Sequence, residues 1–414
     1  MAQVHFTLDS DEILALLSQS KSDGLALLLQ EALNSFLKVE SALQLHAEPY
    51  ERTSARTGSR NGFRKRPYAT RIGTLTLNVP KHRNGESFHS LLFDNYTRSE
   101  AALICTMAEM VVNGVSTRKV SQVMEILCGK SVSKSSVSEA CKELDESVAK
   151  FKNRPLDAVY PFVTIDATYF KVRTNSRTCA KALMIAYATT CEGVQEVIGF
   201  GAYDGETKET WNEFLKSLKE RGLAEIYMIT SDAHEGIIDA VAKQFPKAAW
   251  QRCQFHFMRN IVDKMPKKFK EGIKSELSEM FNTETVTEAR KLRDNIIKSY
   301  SDIAEKAMKC LDEGFESSMS IMVLPTFLRL HYRTSNHIER LNKELKRRSK
   351  AIGTFMGEES LIRLMGAVLL ERNEMLADKK RLFRAETYKK IMTPELELKL
   401  VAIAQEQRHL LDAA

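Results

Sequence analysis

Three acidic residues, Asp166, Asp232 and Glu339, are the side chains in this sequence best placed to do chemistry together. Asp166 lies inside an apolar run from Tyr160 to Phe170, and Asp232 closes another, Glu225 to Ser231. A carboxylate among Val163, Ile165 and Tyr169 is costly unless it is paired, hydrogen-bonded or bound to a metal. Two carboxylates ~4 Å apart repel by roughly 4 kcal/mol at an effective dielectric of about 20, so three mutual pairs cost on the order of 10 kcal/mol. Protons or cations must offset that repulsion, and hard oxygen ligands select Mg²⁺ or Mn²⁺. Two such ions, ~3.5–4 Å apart, can activate a water or a 3′-hydroxyl and stabilise the leaving oxygen of a phosphodiester. Taken singly, each acid has a plainer explanation. An Asp at a strand end often caps a turn or helix, and a Glu before Arg340 and Lys343 often forms a surface ion pair.

The elements that must position these acids follow from the hydrophobic pattern. The segments Tyr160–Phe170, Lys181–Ala188 and Glu196–Tyr203 read as strands, separated by Asn175-Ser176 and Cys191-Glu192-Gly193, which predicts consecutive antiparallel hairpins. An amphipathic helix from Lys208 to Arg221, ended by Gly222, comes next, with Trp211 on its apolar face. Then come a strand (Glu225–Ser231), a helix from about Gly236 to Phe245 and a short strand, Ala249-Trp-Gln-Arg252. This order is the one expected of a ribonuclease-H-like α/β core, in which the first and fourth strands are neighbours. Asp166 and Asp232 would then lie close together. Residues 257–330 carry no period-two signal and read as several helices, interrupted at Pro266, near Asn282-Thr283 and at Pro325. A charged helix starting near Asn336 brings Glu339 back to the core through the apolar stripe Ile338, Leu341 and Leu345. Residues 358–414 are again helical in pattern.

Ahead of this core the character differs. Residues 11–45 read as a helix with a heptad seam at Leu25, Leu29, Ala32, Phe36, Val39 and Leu43, compatible with a dimer contact or with packing on its own chain. From Glu51 to Arg83 there are nine Lys/Arg against one Glu, and Gly73-Thr-Leu-Thr-Leu-Asn-Val79 alternates with period two. The expectation is short strands with a basic loop, Arg56 to Arg66, carrying Arg56, Arg60, Arg64, Lys65 and Arg66. Residues 98–150 return to helix. Ser116 caps one helix, Cys128-Gly129-Lys130 breaks it, and Ser136-Val-Ser-Glu139 reads as the capping box of the next. That is the helix-turn-helix pattern, whose second helix would present Lys134, Ser135, Ser138 and Lys142 to a DNA groove. Asp145 to Pro155 reads as a charged helix end and linker.

Composition narrows the function classes. The chain has 414 residues, enough for two to four domains, with 43% hydrophobic and 28% charged residues and a net charge of +7. Positive charge is clustered, with six Lys/Arg against two Glu from His337 to Lys350, which points to a polyanion contacted at several places. Seven scattered cysteines without a CxxC pair read as reduced thiols of a cytosolic protein. Met1 to Ser10 has no signal-peptide character, and no run of about 18 apolar residues spans a membrane.

Several segments carry a resemblance to a known family. Asp166-Ala-Thr-Tyr-Phe-Lys-Val-Arg173, Thr230-Ser-Asp-Ala-His-Glu-Gly236, Trp250-Gln-Arg-Cys-Gln-Phe-His-Phe-Met-Arg-Asn260 and Tyr332-Arg-Thr-Ser-Asn-His-Ile-Glu-Arg-Leu-Asn-Lys-Glu-Leu-Lys-Arg-Arg348 are similar to the signature segments of Mutator-type insertion-sequence transposases of bacteria. The resemblance covers roughly residues 50–380. It implies a DDE active site of Asp166, Asp232 and Glu339 on a ribonuclease-H-like fold, with an all-helical insertion before the Glu. Lys346 matches the basic position that accompanies the Glu. The implied partners are the terminal inverted repeats of an insertion sequence, target DNA and a second subunit. The implied place is the bacterial cytoplasm at the nucleoid, and the implied route is copy-out–paste-in through a circular intermediate.

The divisions expected are an N-terminal helical, dimerising region (1–48), a basic DNA-binding arm (49–97) and a helix-turn-helix-like region (98–153). A core (154–257 with 331–357), a helical insertion (258–330) and a C-terminal helical region (358–414) complete the chain. Arg173, Arg340, Lys346, Arg347 and Arg348 are candidate phosphate contacts, or else a solvated basic face. Cys253 and His256 match the C/D-x-x-H element of such enzymes. Read physically they are half of a zinc site at most, since no second Cys/His pair has suitable spacing, and a packing or DNA-positioning role fits them better. His234 either orients a carboxylate, contacts phosphate or makes a structural hydrogen bond. A DNA-binding regulator that has lost catalysis, and a nuclease that cleaves without joining, are the rival readings.

Overall fold

Helix α1 (Lys21–Leu45) forms where the sequence predicts it, but buries a different face from the heptad seam. Asn34, Leu37, Ser41, Ala42 and Leu45 are buried, whereas Leu43 is 56% exposed. The reason is the partner. The helix packs on a hairpin of its own chain, β1 (Ser59–Thr70) with β2 (Gly73–Arg83), where Leu37 meets Leu75, Leu77 and Val79. Two side-chain amides one turn apart on α1 accept from β2: Thr76 N–H donates to Gln30 Oε1 at 2.7 Å and Asn78 N–H to Asn34 Oδ1 at 2.8 Å. In this computed structural model the residues described are 21–51, 53–70, 73–90, 101–128, 133–142, 144–174, 177–350 and 352–412. Residues 11–20, Gly129-Lys130 and Asn175-Ser176, on which sequence expectations rest, lie outside them.

The hairpin corrects the expected basic loop. Arg60, Arg64, Lys65 and Arg66 lie on β1, whose pairing is interrupted only between Arg60 and Phe63, around Gly62 with φ 73°. The run is too polar to reveal a strand by itself; the alternating apolar β2 supplies the partner that makes it one.

Three more helices belong to the described residues of the first unit: α2 (Ala101–Val112), α3 (Thr117–Cys128) and α4 (Lys134–Lys142). Val137, Ala140 and Cys141 are buried on α4 as its stripe predicts. The cap is Ser133, three residues before the expected one, and its hydroxyl accepts from Ser136 N–H at 3.0 Å. The chain divides into two compact units between residues 143 and 144. Helix α5 (Leu144–Asn153) therefore belongs to the second unit. Instead of a linker it buries Val148 and Phe151, and Phe151 packs on Phe200 with ring centres 5.6 Å apart.

The second unit is built on a five-stranded mixed sheet. Strands β3 (Val159–Thr174), β4 (Arg177–Thr189) and β5 (Gln195–Tyr203) are consecutive antiparallel neighbours, and β6 (Glu225–Ser231) and β7 (Ala249–Arg252) add in parallel, giving the order β5-β4-β3-β6-β7. Helices α6 (Lys208–Glu220) and α7 (Glu235–Gln244) cover one face, where Trp211, Phe214, Ile237 and Val241 meet Val163, Ile165 and Ile229. Residues 254–332 are wholly helical, as the missing period-two signal predicts: α8 (Gln254–Asp263), α9 (Lys270–Phe281), α10 (Val286–Tyr300), α11 (Glu305–Met319) and α12 (Thr326–Tyr332), with two 3-10 turns. Their core joins the opposite sheet face through Phe162, Met228 and Ala249. Cover on both faces explains why β3 is buried without alternation from Tyr160 to Ile165. Helices α13 (Asn336–Ser349), α14 (Glu358–Ala377), α15 (Ala385–Ile391) and α16 (Pro394–Asp412) complete the unit. Among the described residues no helix is long and apolar enough to cross a membrane.

The turn between β4 and β5 is fixed by Gly193. Its φ is 79°, its carbonyl accepts from Leu382 N–H at 2.9 Å, and an added Cβ would collide with the backbone of Phe383. Gly193→Ala is expected to destabilise the protein by ~2 kcal/mol or more, combining left-handed strain with the clash. Urea unfolding of the full chain checks this; an unchanged midpoint would contradict the packing described.

Candidate active site

The parallel ladder between β3 and β6 places the first two acids. Phe162 pairs with Met228 and Thr164 with Thr230, so the ladder delivers Asp166 and, just past its end, Asp232 to the same end of the sheet, where their charges interact. Asp166 stands where the sheet loses its continuous apolar cover, since the residues beyond it alternate between buried and exposed. Burial, and after it the Asp232 carboxylate, hold the Asp166 carboxyl up at about 7, far above the usual range. Asp232 lies one residue past β6, and its Oδ1 accepts from His234 N–H at 3.4 Å. His234 is the N-cap of α7, with Nδ1 accepting from Gly236 N–H at 3.3 Å. The structural hydrogen bond, one of the roles open to it in sequence, is present, and its backbone N–H meets the Asp232 carboxylate.

The third acid returns on α13. Ile338, Leu341 and Leu345 are buried as their stripe predicts, leaving Glu339 and Asn342 facing the acids' end of the sheet. Asn342 Nδ2 donates to Asp166 Oδ2 at 2.8 Å, tying α13 directly to β3. Glu339 Oε1 accepts from Ser335 Oγ at 3.2 Å. Just before α13, Tyr332 pins the return. Its ring stacks on Phe162 at 4.4 Å, its hydroxyl donates to Thr189 Oγ1 at 2.7 Å, and its carbonyl accepts from Thr230 Oγ1 at 2.8 Å. One side chain and its carbonyl thereby touch β3, β4 and β6.

Cys253 and His256, at the start of α8, join this end. Cys253 is fully buried, and His256 Nε2 lies 3.7 Å from Glu339 Oε1. Burial alone would raise the Cys253 thiol, but the hydrogen bond and charge of His256, with Ser335, outweigh it and lower the thiol below its ordinary value. His256 is raised mainly by the neighbouring Cys253 sulfur, against the opposing effect of burial. Donor atoms of Cys253, His256 and Glu339 all lie within 4.8 Å of one another. Among the described residues this is the three-donor group drawn that close. Asp166, Asp232 and Glu339 do not form such a group by themselves. A carboxylate, not a second Cys/His pair, therefore completes the donor set that in sequence looks like half a zinc site.

A fourth carboxylate, Glu206, is not legible in the sequence. Strand β5 ends at Tyr203, level with Tyr169 of β3 through their shared partner Ala182. The following loop passes so close to Gly236 that a Cβ there would sit 2.9 Å from the Thr207 backbone. This packs Glu206 beside the Asp232–Gly236 loop. Burial first, and then Asp232, raise the Glu206 carboxyl above its ordinary value. The signal that could have found it is topological: β5 runs parallel to β3, so its exit loop opens at the same sheet end.

The basic candidates divide by environment. Arg64 and Lys65 on β1, Lys134, Ser135, Ser138 and Lys142 on α4, Arg173 at the end of β3, and Arg340, Lys346 and Arg347 on α13 are exposed. Arg56 is tied to the Gly58 and Glu51 carbonyls, and Arg60 to those of Ala47 and Glu48 just beyond α1. Those carbonyls lack helical partners, which is why arginines gather there. Arg66 is buried. Arg348 departs furthest from the expected phosphate contact: it is 7% exposed and forms ion pairs with Glu344 and Glu371. Its position on α13 faces α14, not solvent.

Comparison with known proteins agrees with the sequence motifs. The family described as "Transposase, Mutator family" matches residues 1–378. The chain is similar to the transposase for insertion sequence element IS256 in transposon Tn4001 of Staphylococcus aureus, 40% identical over 378 residues, covering 90% of this chain and 96% of that relative. It is 36% identical to the transposase for element ISRM5 of Rhizobium meliloti, covering 86% and 89% of the two chains. The transposase for element IS1081 of Mycobacterium tuberculosis is 33% identical, covering 89% of each.

Arg348→Ala is expected to cost about 2 kcal/mol of stability, because two carboxylates lose charge-assisted hydrogen bonds. A solvent-facing arginine would change stability by no more than about 0.5 kcal/mol. Denaturant unfolding separates the two.

Proposed function

The chain belongs to the Mutator family of transposases, and on that premise we propose that it cuts and joins DNA at an active site of Asp166, Asp232 and Glu339. The observation that carries this reading is the register of β3 and β6, which sets two acids side by side while Asn342 ties the helix bearing the third to the first. The strand order, three antiparallel neighbours extended by two parallel strands, supports a ribonuclease-H-like core. Helices α3 and α4 support a helix-turn-helix that reads the terminal inverted repeats, with Lys134, Ser135, Ser138 and Lys142 exposed on α4.

The residues present fit hard divalent cations, Mg²⁺ or Mn²⁺. The donors are carboxylates; the Asp166 carboxyl is held at about 7 by burial and Asp232; and Asn342 Oδ1 is buried without a partner. Asp166, Asp232 and Glu339 would hold two ions, whose chemistry is to activate the attacking hydroxyl and stabilise the leaving oxygen. The protein's own part is orientation. Asn342 fixes the Asp166 carboxylate, the His234 N–H fixes Asp232, and Ser335 fixes Glu339. With its carboxyl held at about 7, Asp166 is only partly ionised near neutral pH, and positive charge arriving beside it would favour the carboxylate. Arg340 and Lys346 are exposed on the same helix as Glu339, which supports them as phosphate contacts. Joining requires two element ends to be brought together, which supports a homodimer, and the family resemblance supports copy-out–paste-in through a circular intermediate. Bacterial relatives support a cytoplasmic, nucleoid-associated enzyme.

Asp166→Asn and Glu339→Gln are expected to reduce metal-dependent joining of a labelled 3′-end by at least ~100-fold, while end binding in a gel shift stays within a few-fold. Unchanged joining would sink the site assignment. Cleavage without any joined product from a pre-cut end would instead indicate a nuclease. Affinity for the ends is expected to fall steeply with salt, since several phosphates are neutralised. A flat response would count against the basic surfaces as DNA contacts.

A further inference from the structure

One cysteine links two acids that come from separate stretches of the chain. The backbone N–H of Cys253 donates to the carbonyl of Ser231, the residue before Asp232, at 2.7 Å. Its sulfur accepts from the backbone N–H of Ser335 at 3.3 Å, and lies 3.2 Å from Ser335 Oγ. Ser335 Oγ donates onward to Glu339 Oε1 at 3.2 Å. The hydroxyl has one proton, so the thiol S–H donates to Ser335 and Ser335 donates to Glu339. One turn into α8, His256 Nε2 faces the same carboxylate oxygen at 3.7 Å. Two more bonds brace the junction: Gln254 N–H to the Arg333 carbonyl at 2.9 Å, and Thr230 Oγ1 to the Tyr332 carbonyl at 2.8 Å.

We propose that Cys253 and His256 are positioning residues, which fix the Glu339 carboxylate relative to Asp232 so that the acids meet their cations in one geometry. This rests on reading Glu339 as the third active-site acid. Other roles fit the surroundings less well. Cys253 is 0% exposed, so it cannot reach a substrate as a nucleophile, and Ser335 is 1% exposed, so the chain of bonds is closed to water. Sulfur suits the position because it accepts hydrogen bonds over a longer reach than oxygen and is tolerated in an apolar interior. Cys253 reaches Glu339 through a neutral hydroxyl, and the His256 imidazole stands 3.7 Å from the same oxygen, a pattern that orients a metal-binding carboxylate.

The test uses the full chain as wild type, Cys253→Ala, Cys253→Ser and His256→Ala, with Glu339→Gln and Asp166→Asn as references. Mn²⁺ binding to the free protein is measured by electron paramagnetic resonance. Cleavage of DNA bearing the proposed terminal inverted repeats is followed against Mg²⁺ concentration, and end binding by gel shift. Cys253→Ala and His256→Ala are expected to weaken Mn²⁺ binding, and to raise the Mg²⁺ needed for half-maximal cleavage, by ~10–100-fold, with end binding retained. Cys253→Ser should recover most of the loss, because its oxygen still accepts from Ser335. If the buried alanine substitution prevents folding, His256→Ala carries the test from a more accessible position. Unchanged Mn²⁺ binding and unchanged Mg²⁺ dependence in the alanine variants overturn the proposal. Stoichiometric Co²⁺ binding with a thiolate charge-transfer band, lost in Cys253→Ala, overturns it too, by making Cys253, His256 and Glu339 a soft-metal site. Wild-type Mn²⁺ binding and cleavage by both reference variants would remove the active-site reading itself, a result distinct from failure at Cys253 and His256 alone.

Discussion

Carboxyl groups have to be held near one another at one end of an apolar sheet, and much of the second unit packs around that constraint. A pair ~4 Å apart costs roughly 4 kcal/mol, a large share of the ~5–15 kcal/mol by which a folded domain survives. The offset comes from cover on both sheet faces, with Trp211, Phe214 and Ile237 on one side and Phe162, Met228 and the helical segment on the other. The hydrogen bonds the acids accept come from an amide, a backbone N–H and a hydroxyl. Such neutral donors orient the carboxylates without cancelling their charge.

The helical segment between β7 and α13 is tethered where its chain returns. Tyr332 reaches three strands at once, and Cys253 and Gln254 tie the segment's first turn to residues just ahead of α13. Entry and exit are thus laced together beside the acids. A long helical segment closed this tightly at its base costs the sheet little order, because the loop-closure penalty grows slowly with length.

How much of this is readable from the sequence depends on whether one element carries its own signal. Strands β3 to β7 are legible because apolar runs bounded by turn residues mark them, and β6 and β7 match their expected bounds at both ends. Asp166 stands out as a charge in an apolar run, and α13 declares its buried stripe. Features that need a partner are not legible. The buried face of α1 is set by a hairpin some thirty residues on, and β1 is a strand only because β2 pairs with it. Arg348 reads as one more cation in a basic run until Glu371 of α14 meets it. Glu206 has no local signal, because its neighbours Asp232 and Tyr169 arrive from other strands. Cys253 and His256 stand out as a motif, but their link to Glu339 runs through Ser335, which spacing alone does not reveal.

The two amides that α1 extends to β2 have a consequence for self-association. A two-stranded ladder normally has open edges, which invite strands from other molecules and lead to polymerisation. Here Gln30 and Asn34 already occupy the N–H groups of Thr76 and Asn78, while Pro67, opposite Thr76, removes a donor from β1. Strand addition is thereby discouraged on both sides. A surface rich in arginine can be displayed on a hairpin without that hairpin becoming a template for fibrils.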